Sequence, residues 1–216
     1  MSDARNRILS RIRRGLGREQ LSQGVRDTLE ARLRGEPGLE PLKPRLPEGR
    51  PADHFRARLE AAAGNLQRLA ESAAVPEAVC AYRERLGIAG PFAVAPALQA
   101  LGWTNAGLQP RFGPARGDET LCVSRAFAAI AETGSLVLVS GPDTPTTLNF
   151  MPDHHLVVVD ADDLVPHLED AWQRLRTRLA AWPRTVNLVT GPSRTADVEQ
   201  TIQLGAHGPR SLLVLW

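Results

Sequence analysis

Short, uninterrupted apolar runs, several of them rich in valine, constrain the fold of this chain more than any other feature. They are FAVA (92–95), LVLV (136–139), LVVV (156–159), VNLV (186–189) and LLVLW (212–216). Because the runs are continuous rather than alternating, they are typical of strands that are buried on both faces. Helical patterns separate several of them. This alternation predicts an α/β fold with a mainly parallel sheet flanked by helices.

Apolar residues at helical spacing predict helices in the body of the chain. The predicted helices cover residues 55–69, 76–86, 164–179 and 195–204. The third is the longest amphipathic stretch, and Asp162 or Asp163 is expected to cap it. The fourth lies between the last two apolar runs, so that strand, helix and strand follow one another there.

The chain is predicted to consist of an N-terminal arm over residues 1–52 and an α/β domain over residues 53–216. The arm begins with a short amphipathic basic helix and continues into a linker rich in proline and glycine over residues 35–51. We interpret the basic helix as a partner-docking or solvated surface, in preference to a membrane or nucleic-acid contact. Its apolar residues are Ile8, Ile12 and Leu16, and its arginines are Arg5, Arg7, Arg11, Arg13, Arg14 and Arg18.

Composition and charge exclude several classes of function. The formal net charge of +2 at pH 7 gives no support for nucleic-acid binding. The chain has 2 cysteines, Cys80 and Cys122, which are too few for a zinc or iron–sulfur site. No glycine-rich nucleotide loop and no flavin or nicotinamide motif is visible, so neither a cofactor nor a metal is predicted. Since no apolar run approaches the length of a signal core or a membrane span, a cytoplasmic protein is expected.

The loop GPSRTADVE, which follows the run VNLV, has the residue types of an anion site. Loops at the carboxyl ends of parallel strands are where ligands collect in such folds. Ser193 or Thr195 is a candidate cap for the predicted helix, whose first backbone amides attract anions. Arg194 adds a bidentate partner for a carboxylate or phosphate, and Asp197 suits the first helical turn. The alternative is an ordinary turn with Arg194 in solvent.

Three other loops contain further candidates. His207 in GAHGPR suits acid–base chemistry or ligand binding, or it only shapes the turn. Glu132 in AIAETGS is a candidate base or nucleophile, since a carboxylate in so apolar a setting calls for a specific partner or a chemical role. It reaches the other loops only if AAIAE and LVLVS form an antiparallel hairpin. The alternative to a chemical role is an ordinary, partly exposed hairpin glutamate. His154 and His155 point to opposite faces of a strand, so they do not chelate one metal together.

The segments IAETGSLVLVS, MPDHHLVVVD and TGPSRTADVEQTIQLGAHGPR together resemble the lactate-utilization (LUD) domain family over residues 90–216. They are most similar to its small single-domain branch, lactate utilization protein C. The resemblance implies a fold similar to the ribose-phosphate isomerase, glucosamine-phosphate deaminase and CoA-transferase group. It places the family's characteristic residues at Glu132, Thr133, Gly134, His155, Gly191, Pro192, Ser193, Arg194, Thr195, Asp197, His207, Gly208 and Pro209.

The same resemblance implies a component of a bacterial system that oxidises L-lactate to pyruvate together with iron–sulfur partner proteins. In this interpretation Glu132 and His207 are the candidate catalytic residues. The other non-proline residues of the set form a site for a small anionic ligand. The alternative is a stand-alone acyl- or CoA-transferase-like enzyme, or a sugar-phosphate enzyme, that uses Glu132.

Overall fold

The computed structural model of the chain describes residues 2–17, 21–34, 43–195 and 203–216. These residues belong to two units, Met1–Pro41 and Leu42–Trp216. The first unit contains α1 (Ser2–Gly15), which is the predicted basic helix, and α2 (Gln23–Arg34), which was not predicted. Among the described helices of both units, none is long and apolar enough to cross a lipid bilayer.

Strands and helices follow one another along the second unit. The helices are α3 (Pro51–Ala61), α4 (Val75–Leu86), α5 (Thr147–Phe150) and α6 (Leu168–Arg178). The strands are β1 (Asn65–Gln67), β2 (Phe92–Val94), β3 (Arg111–Phe112), β4 (Leu121–Arg125), β5 (Ala128–Ile130), β6 (Ser135–Val139), β7 (His154–Val158), β8 (Leu164–Val165), β9 (Val186–Val189), β10 (Arg194–Thr195), β11 (Gln203–Leu204) and β12 (Ser211–Leu215). The predicted apolar runs correspond to β2, β6, β7, β9 and β12.

The main sheet is 6-stranded and parallel, in the order β1, β12, β7, β4, β2, β3. Its central strands β7 and β12 are in register, with His154 opposite Ser211 and Val158 opposite Leu215. Their apolar runs are continuous because both faces of the sheet are covered. The predicted α/β fold with a mainly parallel sheet flanked by helices is confirmed. The finer likeness to the ribose-phosphate isomerase group stays a prediction.

The faces of the main sheet have different coverings. On one face, Val79 and Tyr82 of α4 pack with the apolar residues of the sheet. On the other face, Phe55 and Leu59 of α3 pack together with residues of β6, β7 and β12. The outer side of β5 and β6 is covered in turn by α6, through residues such as Leu175. The second unit is therefore layered, with one sheet lying behind the other.

The runs LVLV and VNLV do not join the parallel sheet. They form β6 and β9 of a 4-stranded sheet with the order β8, β5, β6, β9, in which β6 is antiparallel to both neighbours. The turn ETGS is the reason, because Gly134 has a φ of +68° and closes a tight hairpin between Ile130 and Ser135. The antiparallel hairpin considered for AAIAE and LVLVS is thus present.

The predicted helix over residues 55–69 is too long, because α3 ends at Ala61. Ala63 has a left-handed φ of +60°, which stops the helix. A Cβ at Gly64 would lie 2.5 Å from Cδ1 of Leu59, so the chain turns directly beneath the helix. Leu66 then enters β1, beside β12. Leu66 packs in the same core as Phe55 and Leu59, whereas Leu69 packs in the core on the other face of the sheet, so the apolar spacing continued past the end of the helix.

The predicted start of the third helix is wrong. The helix α6 begins at Leu168, and His167 and Asp170 form a capping box there. Asp163, a predicted cap, instead accepts hydrogen bonds of 2.8 and 3.1 Å from Arg174 and Arg178 of the same helix. Its carboxylate anchors the helix from the side. The sequence offered several acidic residues at this point, and only the path of the chain distinguishes them.

The predicted helix over residues 195–204 is absent at both of its ends. Arg194–Thr195 forms β10 and pairs antiparallel with β11 at Gln203–Leu204, while residues 196–202 lie outside the described residues. Ser193 does not act as a helix cap, because its backbone N–H donates to the carbonyl of Pro209 and its carbonyl accepts from Gly205. These two bonds hold the loop extended and direct the next residues into a strand.

Candidate functional site

A cleft of about 240 Å³ lies between β9 and the strands β7 and β12. Its wall includes the predicted site residues His155, Gly191, Ser193, His207 and Gly208. The cleft lies at the amino ends of β7 and β12, because His155 and Leu212 are the second residues of those strands. The expectation of a site at the carboxyl ends of parallel strands is therefore wrong. The loop after β9 leaves an antiparallel sheet and meets the loops that enter the parallel one.

The two glycine-proline loops lie side by side along this cleft. Ser193 N–H donates to the carbonyl of Pro209 over 2.8 Å, and Gly205 N–H donates to the carbonyl of Ser193 over 3.0 Å. Gly208 faces Ser193, and a Cβ at Gly208 would lie 3.4 Å from the Cβ of Ser193. His207, between Gly208 and Ala206, is exposed and lines the cleft. The structure thus brings together the loops that the sequence keeps apart.

His155 is the fully buried polar residue of the cleft wall. Its exposed fraction is 0%, and its Nε2 lies 2.7 Å from Oγ of Ser124 on β4. Burial lowers the pKa of His155 from 6.5 to about 3, because the imidazolium form loses its hydration. The ring is therefore neutral at physiological pH. Its neighbour His154 lies on the other face, where Nδ1 is 3.0 Å from the hydroxyl of Tyr82.

The burial of His155 makes folding stability depend on pH. In the unfolded chain the imidazole takes up a proton below about pH 6.5, whereas the folded protein takes it up only near pH 3. Stability therefore falls as the pH falls between these values. Going from neutral pH to about pH 5.5, we expect wild type to lose about 1.4 kcal/mol more than His155→Gln. Urea unfolding at both pH values measures this; equal losses in the two proteins would contradict it.

Two polar residues of the cleft were not predicted. Asn149 of α5 is 4% exposed and contributes an amide, which both donates and accepts hydrogen bonds. Thr190 lines the cleft, and its hydroxyl lies 2.5 Å from Oγ of Ser135, the first residue of β6. Asn149 lies in the polar stretch TPTTLN, just before the segment MPDHH. The position of Asn149 next to that segment was the sequence signal that could have identified it as a site residue.

Arg194 and Thr195 lie on a short strand and not at the predicted helix N-terminus. Arg194 is exposed on β10 and does not line the cleft. Thr195 follows it on the same short strand, and Asp197 lies outside the described residues. The described part of the cleft wall contains no arginine, lysine, aspartate or glutamate. The cleft therefore offers neutral hydrogen-bonding groups where a guanidinium was expected.

Gly134 and Gly191 are held by close packing against α3. Gly191 has a φ of +73°, and a Cβ there would lie 2.1 Å from the carbonyl oxygen of Ala62. Gly134 has a φ of +68°, and its Cβ would lie 2.5 Å from the backbone nitrogen of Leu59. Both positions require glycine for conformation and for space. Thr133, which directly precedes Gly134, is exposed at the tip of the β5–β6 hairpin.

Glu132 has a partner for each oxygen of its carboxylate. Oε2 lies 2.8 Å from Nδ1 of His167, and Oε1 accepts a hydrogen bond of 3.2 Å from the backbone N–H of Leu168. The side chain therefore stabilises the amino end of α6, where negative charge is favourable. Glu132 does not line the cleft. Its predicted role as base or nucleophile stays a prediction, and the contacts observed here are those of a helix cap.

No metal centre is evident in the parts of the chain that the structure describes. Groups of His, Cys, Asp and Glu suited to a metal ion are absent from these residues. Cys122 is buried, and burial raises the pKa of its thiol to about 12, so it stays protonated. Cys80 is partly buried on α4. Neither thiol lies in the cleft wall.

Comparison with known proteins shows which family the second unit is similar to. The family model described as the LUD domain matches residues 118–215, which include every predicted site residue. An uncharacterized protein of Neisseria meningitidis serogroup B is 38% identical over 92 residues, covering 43% of this chain and 40% of the relative. Lactate utilization protein C of Geobacillus thermodenitrificans is 34% identical over 92 residues, covering 40% and 38%. Lactate utilization protein C of Bacillus subtilis is 32% identical over 83 residues, covering 37% and 35%.

The matches therefore span well under two thirds of the length of these relatives. A crystal structure of a DUF162 family protein from Deinococcus radiodurans superposes with a TM-score of 0.57. At 21% identity it covers 78% of this chain and 98% of that chain, and it supports the fold alone. The resemblance to the LUD domain family that the sequence motifs indicated is confirmed over residues 118–215.

Proposed function

We propose, from the premise that the chain is similar to the LUD domain family over residues 118–215, that it is a component of a bacterial L-lactate utilization system. In this system L-lactate is oxidised to pyruvate with iron–sulfur proteins as partners, in the cytoplasm. Several relatives are named Lactate utilization protein C, and the shared segment contains the cleft. We extend to this chain the role in lactate utilization that the names of these relatives give to them.

The observation that carries the proposal is the gathering of distant loop residues around one cleft. His155 is the second residue of β7, Ser193 follows β9, and His207 and Gly208 precede β12. More than fifty residues of sequence separate His155 from Gly208. Polar residues from separate loops that converge on a cleft with apolar walls are typical of a small-molecule site.

A small carboxylate such as lactate suits this cleft. A volume of about 240 Å³ is ample for such a molecule, and Asn149, Thr190 and Ser193 offer neutral donors. Leu188 and Leu212 provide apolar surface for a methyl group. Because the described wall has no arginine or lysine side chain, recognition depends on hydrogen bonds rather than on an ion pair with Arg194.

The oxidation itself is assigned to partner proteins. Conversion of L-lactate to pyruvate releases electrons, and iron–sulfur clusters that accept electrons need cysteine ligands. This chain has 2 cysteines, of which Cys122 is buried and protonated. The helix α1 supports a partner-docking role, since Ile8 and Ile12 are 61% and 50% exposed beside several arginines. An apolar stripe bordered by positive charge favours a partner with an acidic, partly apolar surface.

Removing the chain from its native cell is expected to abolish L-lactate oxidation, and tagged protein is expected to co-purify with cysteine-rich iron–sulfur proteins. Adding back wild-type protein should restore the rate. Gly208→Leu should restore less than about a tenth of it, because the new side chain enters the cleft beside Ser193. The measurement is the initial rate of pyruvate formation in cell extract.

Glu60→Ala is the matched control, because Glu60 makes an exposed ion pair with Arg56 on α3, away from the cleft wall. Its add-back rate should equal that of wild type. A protein that purifies alone, in cells whose lactate oxidation is unchanged by its removal, would refute the proposal. Acyl-CoA or sugar-phosphate turnover by the purified chain would then favour the enzyme alternative with Glu132. That alternative has less support at present, since both Glu132 oxygens are occupied.

A further inference from the structure

His155 is held between two strands of the main sheet so that one side of its ring has a partner and the other has none. Nε2 lies 2.7 Å from Oγ of Ser124, a residue that is 2% exposed on β4. Nδ1 is buried and has no hydrogen-bond partner among the described residues. Since buried polar atoms are nearly always hydrogen bonded, an unpaired ring nitrogen in a cleft wall indicates a position that a ligand atom completes.

The contact between Ser124 and His155 permits two arrangements of protons. If Nε2 carries the ring proton, it donates to Ser124, and the hydroxyl proton is left without an acceptor inside the sheet. If the hydroxyl donates to Nε2, the ring proton lies on Nδ1 in the cleft wall. Unpaired buried donors are rarer than unpaired acceptors. The second arrangement is favoured because His155 lines the cleft, where a ligand can supply an acceptor, whereas Ser124 does not line it.

We propose that Ser124 donates to Nε2 of His155 and thereby fixes a neutral Nδ1–H, which donates to an oxygen atom of the ligand in the cleft. His155 is then a binding residue and Ser124 a positioning residue that acts through it. The inference rests on the proposed function and deepens it. The ligand class is a small 2-hydroxy or 2-oxo carboxylic acid, whose carboxylate and carbonyl oxygens accept hydrogen bonds.

The neutral donor distinguishes this site from the one expected around Arg194. Attraction between an exposed guanidinium and a carboxylate weakens as salt screens it. A hydrogen bond from a buried, neutral Nδ1–H depends little on ionic strength. Binding of L-lactate is therefore expected to stay within about twofold between low and physiological salt, and to be unchanged in Arg194→Ala.

The tautomer is measured on the full chain carrying nitrogen-labelled histidine, by NMR. In the free protein we expect a protonated Nδ1 and an acceptor Nε2 for His155. Titration with L-lactate, and then with pyruvate, should shift the Nδ1 resonance until it saturates. Ser124→Ala is expected to weaken L-lactate binding about tenfold, because the ring proton is no longer held on Nδ1 and the hydrogen bond from His155 to the charged carboxylate is weakened. If this variant does not fold, Ser124→Cys, with its weaker donor, should give a smaller loss.

Ser211→Ala is the matched control. Ser211 lies on the neighbouring strand β12, and its hydroxyl is hydrogen bonded to that of Tyr82 over 3.0 Å. Ser211 does not line the cleft. Its affinity for L-lactate should equal that of wild type. A free protein with the proton on Nε2 overturns the proposal whether or not lactate binds. So does a protonated Nδ1 that does not respond to L-lactate or pyruvate. The pyruvate-formation assay judges the proposed function separately.

Discussion

Gly191→Ala is expected to lower the free energy of unfolding by about 4 kcal/mol, which leaves little folded protein in a domain of ordinary stability. Gly191 has a φ of +73°, and a Cβ would lie 2.1 Å from the carbonyl oxygen and 3.0 Å from the Cβ of Ala62. Both contact atoms belong to the end of α3, so no flexible side chain can move aside. The added methyl group must separate the loop after β9 from α3. Urea denaturation of the purified protein measures the loss.

Gly208→Ala, in the facing loop, is the control for this experiment. Its nearest new neighbours are the Cβ of Ser193 at 3.4 Å and the carbonyl oxygen of Phe150 at 3.9 Å, which are ordinary contacts. The change in stability should stay within about 0.5 kcal/mol of wild type. If Gly191→Ala is as stable as Gly208→Ala, the contact with α3 is looser than described, and Gly191 is then better explained by a role in the cleft.

Glu119→Ala is expected to destabilise the protein by about 3–5 kcal/mol. Its side chain is 1% exposed and forms an ion pair with Arg111 on β3. The same carboxylate accepts hydrogen bonds from the backbone N–H groups of Arg116 and Gly117, at 2.8 and 3.1 Å. Removing it leaves a mostly buried guanidinium without its counter-charge and two backbone donors without their acceptor. Thermal and urea unfolding of the variant measure this cost.

The control here is Asp53→Ala, which removes an exposed ion pair with Arg50. Exposed pairs contribute little, so this variant should unfold at nearly the same temperature and urea concentration as wild type. Glu119→Gln should fall between the two variants, because it keeps an acceptor for the backbone donors but loses the negative charge. A loss in Glu119→Ala as small as that in Asp53→Ala would mean that water reaches Arg111 and replaces the carboxylate.

Much of the fold could be predicted because strand burial leaves a direct trace in the sequence. Continuous runs such as LVVV identify strands with two buried faces, and these runs became β7 and its neighbours. Their assignment to sheets was less predictable. The run LVLV looks the same as LVVV, yet a single glycine turn at Gly134 makes it antiparallel to the strand before it. Strand direction depends on that turn, since the apolar run carries no information about it.

The motif residues occupy two different kinds of position in the structure. Gly134 and Gly191 pack against α3, and Glu132 binds the amino end of α6. His155 and Gly208 line the cleft. A short motif gives the same signal for both uses, because a tight backbone contact and a ligand contact each restrict a position to one residue type. Residue identity alone therefore did not separate packing from binding.

By itself the sequence determined the α/β class, the resemblance to the LUD family and the loops that contain its motifs, because hydrophobic pattern and motif spacing are local properties. The tertiary structure decided which atoms face that cleft. It separated His155 from His154 by the alternation of strand faces, and it placed Ser124 beside His155 across two strands. A serine within the short strand LCVSR has no distinguishing local pattern. Its partner, 31 residues away, is set by strand order and register, which arise only when the sheets pack.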